Sequence, residues 1–438
     1  GIGVAIVDSG ISPHAALTGK VVANVSLITG DPSVLDAFGH GTHVAGIIAG
    51  NGSAAASVTG LFTGGVAPGV QLVNVRVLGA DGVGRTSDVI AGIQWAIANR
   101  ARYNIRVINL SLGHPVMEPS ATDPLCEVVA DAFHAGIVVV AAAGNDGVTA
   151  DGTRVLGGIT SPGNSPWAIT VGSLNTWGTV KRSDDTLTTY SSRGPTRFEG
   201  TVKPDVAAPG NKIVSLEANG SNIPIEYPYL HRAGNGSNSY MQLSGTSMAA
   251  PMVSGGVALL LQGTPGMNPS QVKMALQAGA TYMPDAGLMG AGAGSVNFMA
   301  SRKLTTTLLG LLPSNLIGGL LSPASGAIFW DTGTLASRLY AGVGIRLLSL
   351  LQGPLVWLNS TLLNTGDLNL LGIGNPLASI AAKSLLYGQV ADWTNSQTIM
   401  WGTSITDPSG QTIMWGTSYT TDGTTIMWGT SMTAEDPK

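Results

Sequence analysis

The sequence predicts an α/β domain, in which a parallel β-sheet forms the middle of three layers and helices cover both of its faces. Two observations predict it. Over residues 1 to about 300, strand-length runs rich in β-branched residues alternate with helical patterns, and this alternation is typical of parallel sheets with right-handed crossovers. Only 11% of the residues are charged and 61 of 438 are Gly, where about 25% and about 7% are usual. This composition indicates a compact chain and excludes an expanded, disordered one.

The individual elements follow from the spacing of apolar residues. Five β-branched runs have the length of strands, at residues 2–7, 71–78, 106–112, 136–143 and 167–171. Four segments between or after them have the pattern of helices, at residues 41–50, 86–99, 122–135 and 247–262. Because functional residues of such sheets gather at the carboxyl ends of the strands, we expect the active site at that edge.

The chain divides into three parts. Residues 1–303 form the predicted α/β domain, and residues 304–391 form a Leu- and Gly-rich extension expected to pack on or near it. Residues 304–330 carry no charge, a pattern that is also found in membrane-spanning segments. Interruptions by Thr, Pro-Ser-Asn and Gly-Gly make such a span unlikely.

The third part, residues 392–438, repeats the sequence TIMWGTS three times, from Thr398, Thr412 and Thr425. Alternation along a strand would place Ile and Trp on one face and Met on the other. We therefore expect short β-like segments that dock on the main body. A repetitive tail without a specific function is the alternative.

Charge and cysteine content limit the partners. The formal net charge is −4, and the sequence has no concentrated basic stripe, so nucleic acid is not expected as a partner. The single cysteine, Cys126, excludes an intrachain disulfide. It is expected as a buried helix residue and not as a nucleophile. The chain opens on a predicted strand, so any signal peptide or propeptide is expected to have been removed or left out of this sequence.

Three segments contain residues suited to catalysis. Asp8 ends the first predicted strand, His40 opens a predicted helix, and Ser247 lies where a loop becomes another helix, with Pro251 expected near its first turn. An Asp that orients a His, which in turn deprotonates a Ser, is what acyl transfer requires. His40 and His43 are three residues apart, but no Glu follows His40 and no third ligand lies nearby, so a zinc site is not expected.

Four motifs in order resemble the subtilisin-like serine proteases, the subtilases. They are DSG at 8–10, HGTHVAG at 40–46, AAAGN at 141–145 and GTSMAAP at 245–251, and the resemblance covers about residues 1–300. It implies the subtilisin-like form of the three-layer fold and the activity of a serine endopeptidase. It also implies Asp8 as orienter, His40 as general base, Ser247 as nucleophile and Asn145 as oxyanion donor, while His43 is structural.

The resemblance also implies where a peptide binds. The extended substrate would pair with an edge segment and insert a side chain against an opposite wall of small residues. The edge segment is Leu110, Ser111, Leu112 and Gly113, and the wall is Ala142, Ala143 and Gly144. We expect a preference for apolar or uncharged side chains before the cleaved bond, with some tolerance for basic ones through Asp146. The block at 203–210 resembles a structural motif of the family.

The family gives further expectations about ions, location and loops. No cofactor is required for the chemistry, and a structural calcium ion is possible with unknown ligands, since residues 50–69 lack acidic side chains. We name no metal ligand. Six loop carboxylates are expected to be solvated, namely Asp31, Asp36, Asp146, Asp151, Asp184 and Asp185. Extra loops are expected at 176–189 and 216–238.

The resulting hypothesis is a secreted or cell-envelope peptidase that acts on proteins or peptides. A propeptide, since removed, is possible. Two alternatives stay open at this point. One is an inactive scaffold whose Trp-rich repeats bind a surface or partner. The other is an esterase or transpeptidase that uses the same three side chains.

Overall fold

The structure is a computed structural model that describes residues 1–306 and five two-residue strands farther along the chain. The strands of the first part are β1 to β12, in order Gly3–Asp8, Val21–Ser26, Gln71–Arg76, Gly84–Arg85, Ile105–Leu110, Val138–Ala142, Ala168–Asn175, Thr186–Leu187, Val206–Pro209, Ile213–Glu217, His231–Ala233 and Ser239–Leu243. The helices are α1 to α8, in order His40–Ala49, Thr86–Ala98, Pro124–His134, Asn222–Glu226, Thr246–Gly263, Pro269–Gly279, Gly287–Ala291 and Phe298–Thr306.

An eight-stranded sheet forms the centre of the domain. Its strand order is β2-β3-β1-β5-β6-β7-β8, and β9 also pairs with β7. All pairs are parallel except β7–β8. Every residue of β1, β6 and β7 is buried, as expected where helices cover both faces of a parallel sheet. The predicted α/β class is confirmed.

The helices explain why the sheet is buried. α1 packs against α5, and α5 also contacts β5, β6, β7 and β9. α2 and α3 form another packed pair, which contacts β1, β3, β5, β6 and β7. The four predicted helices are confirmed as α1, α2, α3 and α5, each with its ends displaced by no more than two residues.

A second, antiparallel sheet of order β10-β12-β11 lies against α1 through β10. The interval 216–238 that joins β10 to β12 is therefore not a bare loop, because it contains α4 and β11. The interval 176–189 contains β8, which extends the central sheet at its edge.

Most of the predicted extension 304–391 and tail 392–438 lies outside the described residues. The strands described there are β13 to β17, in order Phe329–Trp330, Leu358–Asn359, Met414–Trp415, Thr425–Ile426 and Thr430–Ser431. β13 pairs with β14, β15 pairs with β17, and β16 pairs antiparallel with β4. Docking of the repeats stays a prediction. In the described part of the chain, no helix combines the length and the apolar character needed to cross a membrane.

Candidate active site

Three neighbouring strands end at the same edge of the central sheet. β1, β5 and β6 are adjacent and parallel. Asp8 is the last residue of β1, Leu110 is the last of β5, and Ala142 is the last of β6. The sheet therefore brings the Asp8 motif, the edge segment and the small-residue wall to one edge, as the sequence predicts.

Asp8 and His40 form a buried pair at this edge. His40 is the first residue of α1, and its Nδ1 lies 3.3 Å from both carboxylate oxygens of Asp8. Both side chains are almost fully buried, at 1% and 0% exposure. A Cβ on Gly41 would lie 2.6 Å from Oδ1 of Asp8, so a glycine is needed here for α1 to approach the end of β1.

Burial sets the protonation of this pair. Burial raises the pKa of Asp8 well above its usual value, and the hydrogen bond from the backbone N–H of Ser9 opposes that rise. Burial also lowers the pKa of the His40 imidazole well below 6.5. A neutral imidazole oriented by a carboxyl through Nδ1 is the form that accepts a proton from a nucleophile.

Ser247 lies at the beginning of α5, tied to the segment after β5. Its hydroxyl donates to the carbonyl of Ser111 at 3.2 Å, and the Ser111 hydroxyl donates to the Ser247 carbonyl at 2.9 Å. The expectation that Pro251 lies near the first turn is wrong, because α5 begins at Thr246 and Pro251 is inside it. Since Pro has no N–H, the Ser247 carbonyl lacks its helical partner, and Ser111 supplies a donor in its place.

Asn145 is oriented by the residue that precedes Ser247. The backbone N–H and the hydroxyl of Thr246 donate to Oδ1 of Asn145 at 2.9 and 3.1 Å. The amide nitrogen of Asn145 is buried and has no hydrogen-bond partner within the described part of the chain. An amide held by its oxygen presents its N–H groups as donors to a bound ligand. Sequence reasoning missed Thr246, although it occupies the position just before the candidate nucleophile.

The edge segment and the opposite wall are joined by Thr160, which the sequence analysis also missed. The Thr160 N–H donates to the Ala143 carbonyl at 3.1 Å. Its Oγ1 would lie 2.7 Å from a Cβ on Gly113, and its Cγ2 would lie 2.8 Å from a Cβ on Gly144. Gly144 has φ +102, where a side chain is also strained. Thr160 therefore lies between the two predicted substrate-binding segments, and no local motif marks it.

Two further residues from the sequence analysis, His43 and Cys126, lie in environments that do not suit catalysis. His43 is buried with Nε2 near the carbonyls of Ile213 and Met241, and burial lowers its pKa to about 3. Cys126 is buried in α3, and burial raises the pKa of its thiol. A low-pKa, accessible thiolate is what a nucleophilic cysteine requires, so Cys126 does not fit that role.

Residues 216–238 contact the segment that immediately precedes His40. The backbone N–H groups of Asn222 and Ile223 donate to the carbonyls of Ala37 and Phe38, at 2.9 and 3.0 Å. His231 in the same interval pairs with Glu217 at 2.8 Å. These bonds hold residues 37–38, which precede α1, against the interval 216–238.

The structure does not identify ligands for a calcium ion among the described residues. Within residues 1–306, no three His, Cys, Asp or Glu side chains are placed where they could hold one metal ion together. Ca²⁺ normally takes six to eight oxygen ligands that include carboxylates, and residues 50–69 offer none. We therefore derive no step through a metal.

The sequence of the described domain is similar to those of known proteins. A model of the subtilase family matches residues 1–297. Serine protease AprX of Bacillus subtilis (strain 168) is 38% identical over 306 residues, which is 68% of this chain and 65% of AprX. Subtilisin DY of Bacillus licheniformis is 36% identical over 290 residues, 66% of this chain and 87% of that protein. The crystal structure of a cold adapted subtilisin-like serine proteinase shares 30% identity with a TM-score of 0.49, over 68% of this chain and 87% of that one.

These matches define the class of the described domain, which is that of the serine endopeptidases. The chain belongs to the subtilase family. Members of this class act on proteins or peptides and need no cofactor for the chemistry. The chain covers 65% of the length of AprX, less than two thirds. The family-model match ends at residue 297, before the Leu-rich extension.

Proposed function

We propose that this chain hydrolyses peptide bonds through an acyl-enzyme formed on Ser247. His40 takes the proton of the Ser247 hydroxyl and later gives it to the leaving amine, while Asp8 holds the imidazole through Nδ1. The observation that carries the proposal is the buried Asp8–His40 pair, with its oxygen-to-nitrogen distance of 3.3 Å, at the edge where α5 presents Ser247.

Stabilisation of the tetrahedral intermediate would come from donors fixed before the reaction. Asn145 is held by Thr246 through its carbonyl oxygen, which leaves its amide N–H groups to donate to the oxyanion. The backbone N–H of Ser247 is the second donor in this proposal. Removing such an amide donor costs about 100- to 1,000-fold in kcat, a value known from subtilisin itself.

The substrate would bind as an extended strand. Backbone groups of Leu110, Ser111, Leu112 and Gly113 would pair with it, which is recognition by strand addition. The side chain before the cleaved bond would enter between this segment and the wall of Ala142, Ala143 and Gly144. Because the wall consists of small residues, we expect a broad preference for apolar or uncharged side chains there, with Thr160 beside the two segments.

The cellular setting is part of the same proposal. Secretion to the cell exterior or envelope fits a subtilase that hydrolyses proteins, and a propeptide would be removed before the enzyme acts. These statements rest on family membership.

The test compares the full chain with Ser247→Ala on a denatured protein mixture and with a fluorophosphonate probe. The wild type should cleave peptide bonds, mostly after apolar or uncharged residues, and should be labelled. The variant should lose both properties because it lacks the attacking hydroxyl. Hydrolysis or labelling that persists in a folded Ser247→Ala chain contradicts the proposal.

A further inference from the structure

Asp36 is a carboxylate whose environment differs from the expectation. The sequence analysis places it among solvated loop residues, and this is wrong, because only 1% of its surface is exposed. Three donors reach its two oxygens, each at 2.7 Å. They are the Ser9 hydroxyl and the backbone N–H groups of Gly39 and Thr42. Burial raises the pKa of the Asp36 carboxyl, and the hydrogen bonds from Gly39 and Thr42 oppose that rise by favouring the ionised form.

Two of these bonds fix the start of α1. Gly39 is the N-cap residue of α1, has φ 111 and has no side chain to cap the helix. Asp36 supplies the missing acceptor for the free N–H groups of the first turn. The helix that this carboxylate caps begins with His40 itself. The backbone from which the imidazole extends is therefore held by Asp36.

The third bond connects Asp36 to the catalytic carboxyl. Oγ of Ser9 lies 2.7 Å from Oδ1 of Asp36 and 3.1 Å from Oδ1 of Asp8. The backbone N–H of Gly41 donates to the same Oγ at 3.0 Å. One hydroxyl thus lies between the two carboxyl groups.

We propose that Asp36 is a positioning residue of the peptidase reaction, which fixes the first turn of α1 and places a second negative charge beside the Asp8–His40 pair. The proposal rests on the proposed role of His40 as general base. The charge of Asp36 raises the pKa of His40, against the larger lowering by burial. This charge therefore favours the imidazolium that forms when the Ser247 proton is transferred.

Other ionisable groups near α1 are neutralised or paired. His43 on the same helix is neutral at working pH because burial lowers its pKa to about 3. α5 carries no charged residue. The remaining elements packed against α1 contribute Asp8 on β1, Arg76 on β3 paired with Asp31, His14 beside the first 3-10 turn, and Glu217 on β10 paired with His231.

The test is Asp36→Asn in the full chain, with kcat and KM measured across pH. We expect kcat to fall about 10- to 100-fold, as a misplaced catalytic group causes, with KM changed less than twofold. The acid limb of the kcat/KM profile should move down by about half a pH unit or more, because the lost charge no longer supports protonation of His40.

A matched control separates this effect from lost helix capping. Asn268 caps α6 through a bond to the N–H of Gln271 and lies outside the site. Asn268→Ala should lower the melting temperature while the acid limb keeps its position. A folded Asp36→Asn chain with the wild-type kcat and acid limb overturns the proposal.

A second variant covers the case in which Asp36→Asn does not fold. Ser9→Ala keeps both carboxylates and the backbone bonds from Asp36 to α1, but removes the hydroxyl between them. We expect a loss of kcat of at least about threefold with unchanged KM, and wild-type kcat in this variant counts against the link.

Failure of the proposal is distinguishable from failure of the peptidase function. In the Ser247→Ala chain, the His40 titration is followed by NMR with and without Asp36→Asn. A lower His40 pKa in the double variant supports the role of Asp36 even without turnover, and an unchanged value overturns it. Hydrolysis that is insensitive to Ser247→Ala overturns the proposed function instead.

Discussion

Two buried clusters of ionisable side chains lie in this domain, and they differ in how their charge is compensated. At the candidate active-site edge, two carboxyl groups lie near one imidazole: Asp8 is in contact with His40, and Asp36 accepts from the Ser9 hydroxyl beside Asp8. Beside β9, a single carboxylate, Asp205, lies between two lysines. Its oxygens are 2.8 Å from Nζ of Lys203 and 2.9 Å from Nζ of Lys273.

The two clusters differ in whether they contain a group that is available to react. The Asp205 carboxylate is also bonded to the Thr170 N–H and the Gln277 side-chain amide, so its acceptor positions are filled and it stays ionised. Such a cluster stabilises packing and has no group available to react. The active-site cluster keeps an imidazole whose proton affinity is lowered by burial, which is what proton transfer requires. Both clusters are buried to a similar extent, so the neighbouring side chains determine whether a group in the cluster can transfer a proton.

The largest expected effect comes from Asp8→Asn. This substitution keeps the shape of the side chain but no longer holds His40 in the productive tautomer, so kcat should fall by about 10,000-fold. Because no salt bridge to lysine or arginine is broken, the melting temperature should change by only a few degrees. Steady-state kinetics and thermal unfolding check both expectations. Near wild-type kcat in Asp8→Asn contradicts the proposed role of this edge.

The second cluster should respond in the opposite way. Asp205→Asn leaves two buried ammonium groups without their carboxylate, and breaking a buried pair in this manner costs about 3–5 kcal/mol of unfolding free energy. At temperatures where the variant is folded, kcat should stay within about threefold of the wild type. Denaturant unfolding measures the loss.

Lys203→Met is the matched control for Asp205→Asn. The carbonyl of Ala168 keeps its bond from Lys273, and Asp205 keeps one lysine partner. We therefore expect a smaller cost than that of Asp205→Asn, because the buried carboxylate still has one lysine beside it. A loss as large as that of Asp205→Asn means that the two lysines are equally necessary.

The smallest expected effect is on the pH dependence of stability. Burial lowers the pKa of Lys203 to about 7, below the value of about 10.4 for an unfolded lysine. Between these values the unfolded chain binds more protons, so the unfolding free energy should rise with pH. We expect the unfolding free energy to be higher at pH 9 than at pH 7, as measured by denaturant unfolding. The Lys203→Met chain should show a flatter curve, and equal slopes in the two chains contradict this assignment.

Local sequence determined much of the framework. The strands at residues 2–7 and 136–143 and the four helices follow from β-branched runs, apolar spacing and small residues, which act over a few neighbours. The motifs around Asp8, His40, Asn145 and Ser247 also supplied the candidate site, because they carry side chains with known chemistry in a recognisable order.

Residues that act through distant contacts were not predictable in the same way. Asp36 reads as a surface carboxylate until Ser9 and the start of α1 are seen around it. Thr160 carries no motif, and its position between Gly113 and Gly144 depends on how two strand ends approach one another. Lys273 is 68 residues away from Asp205 in the chain, with the whole of α5 between them, so their pairing cannot be seen in the sequence.

Neighbouring residues along the chain are enough to specify the strands and helices, the side chains able to attack a carbonyl, and the motifs of the family. Folding is needed to specify which carboxyl groups are buried, which donors orient Asn145, and which lysines share Asp205. Secondary structure depends on neighbours in the chain, whereas burial and charge compensation depend on segments that come together only after folding.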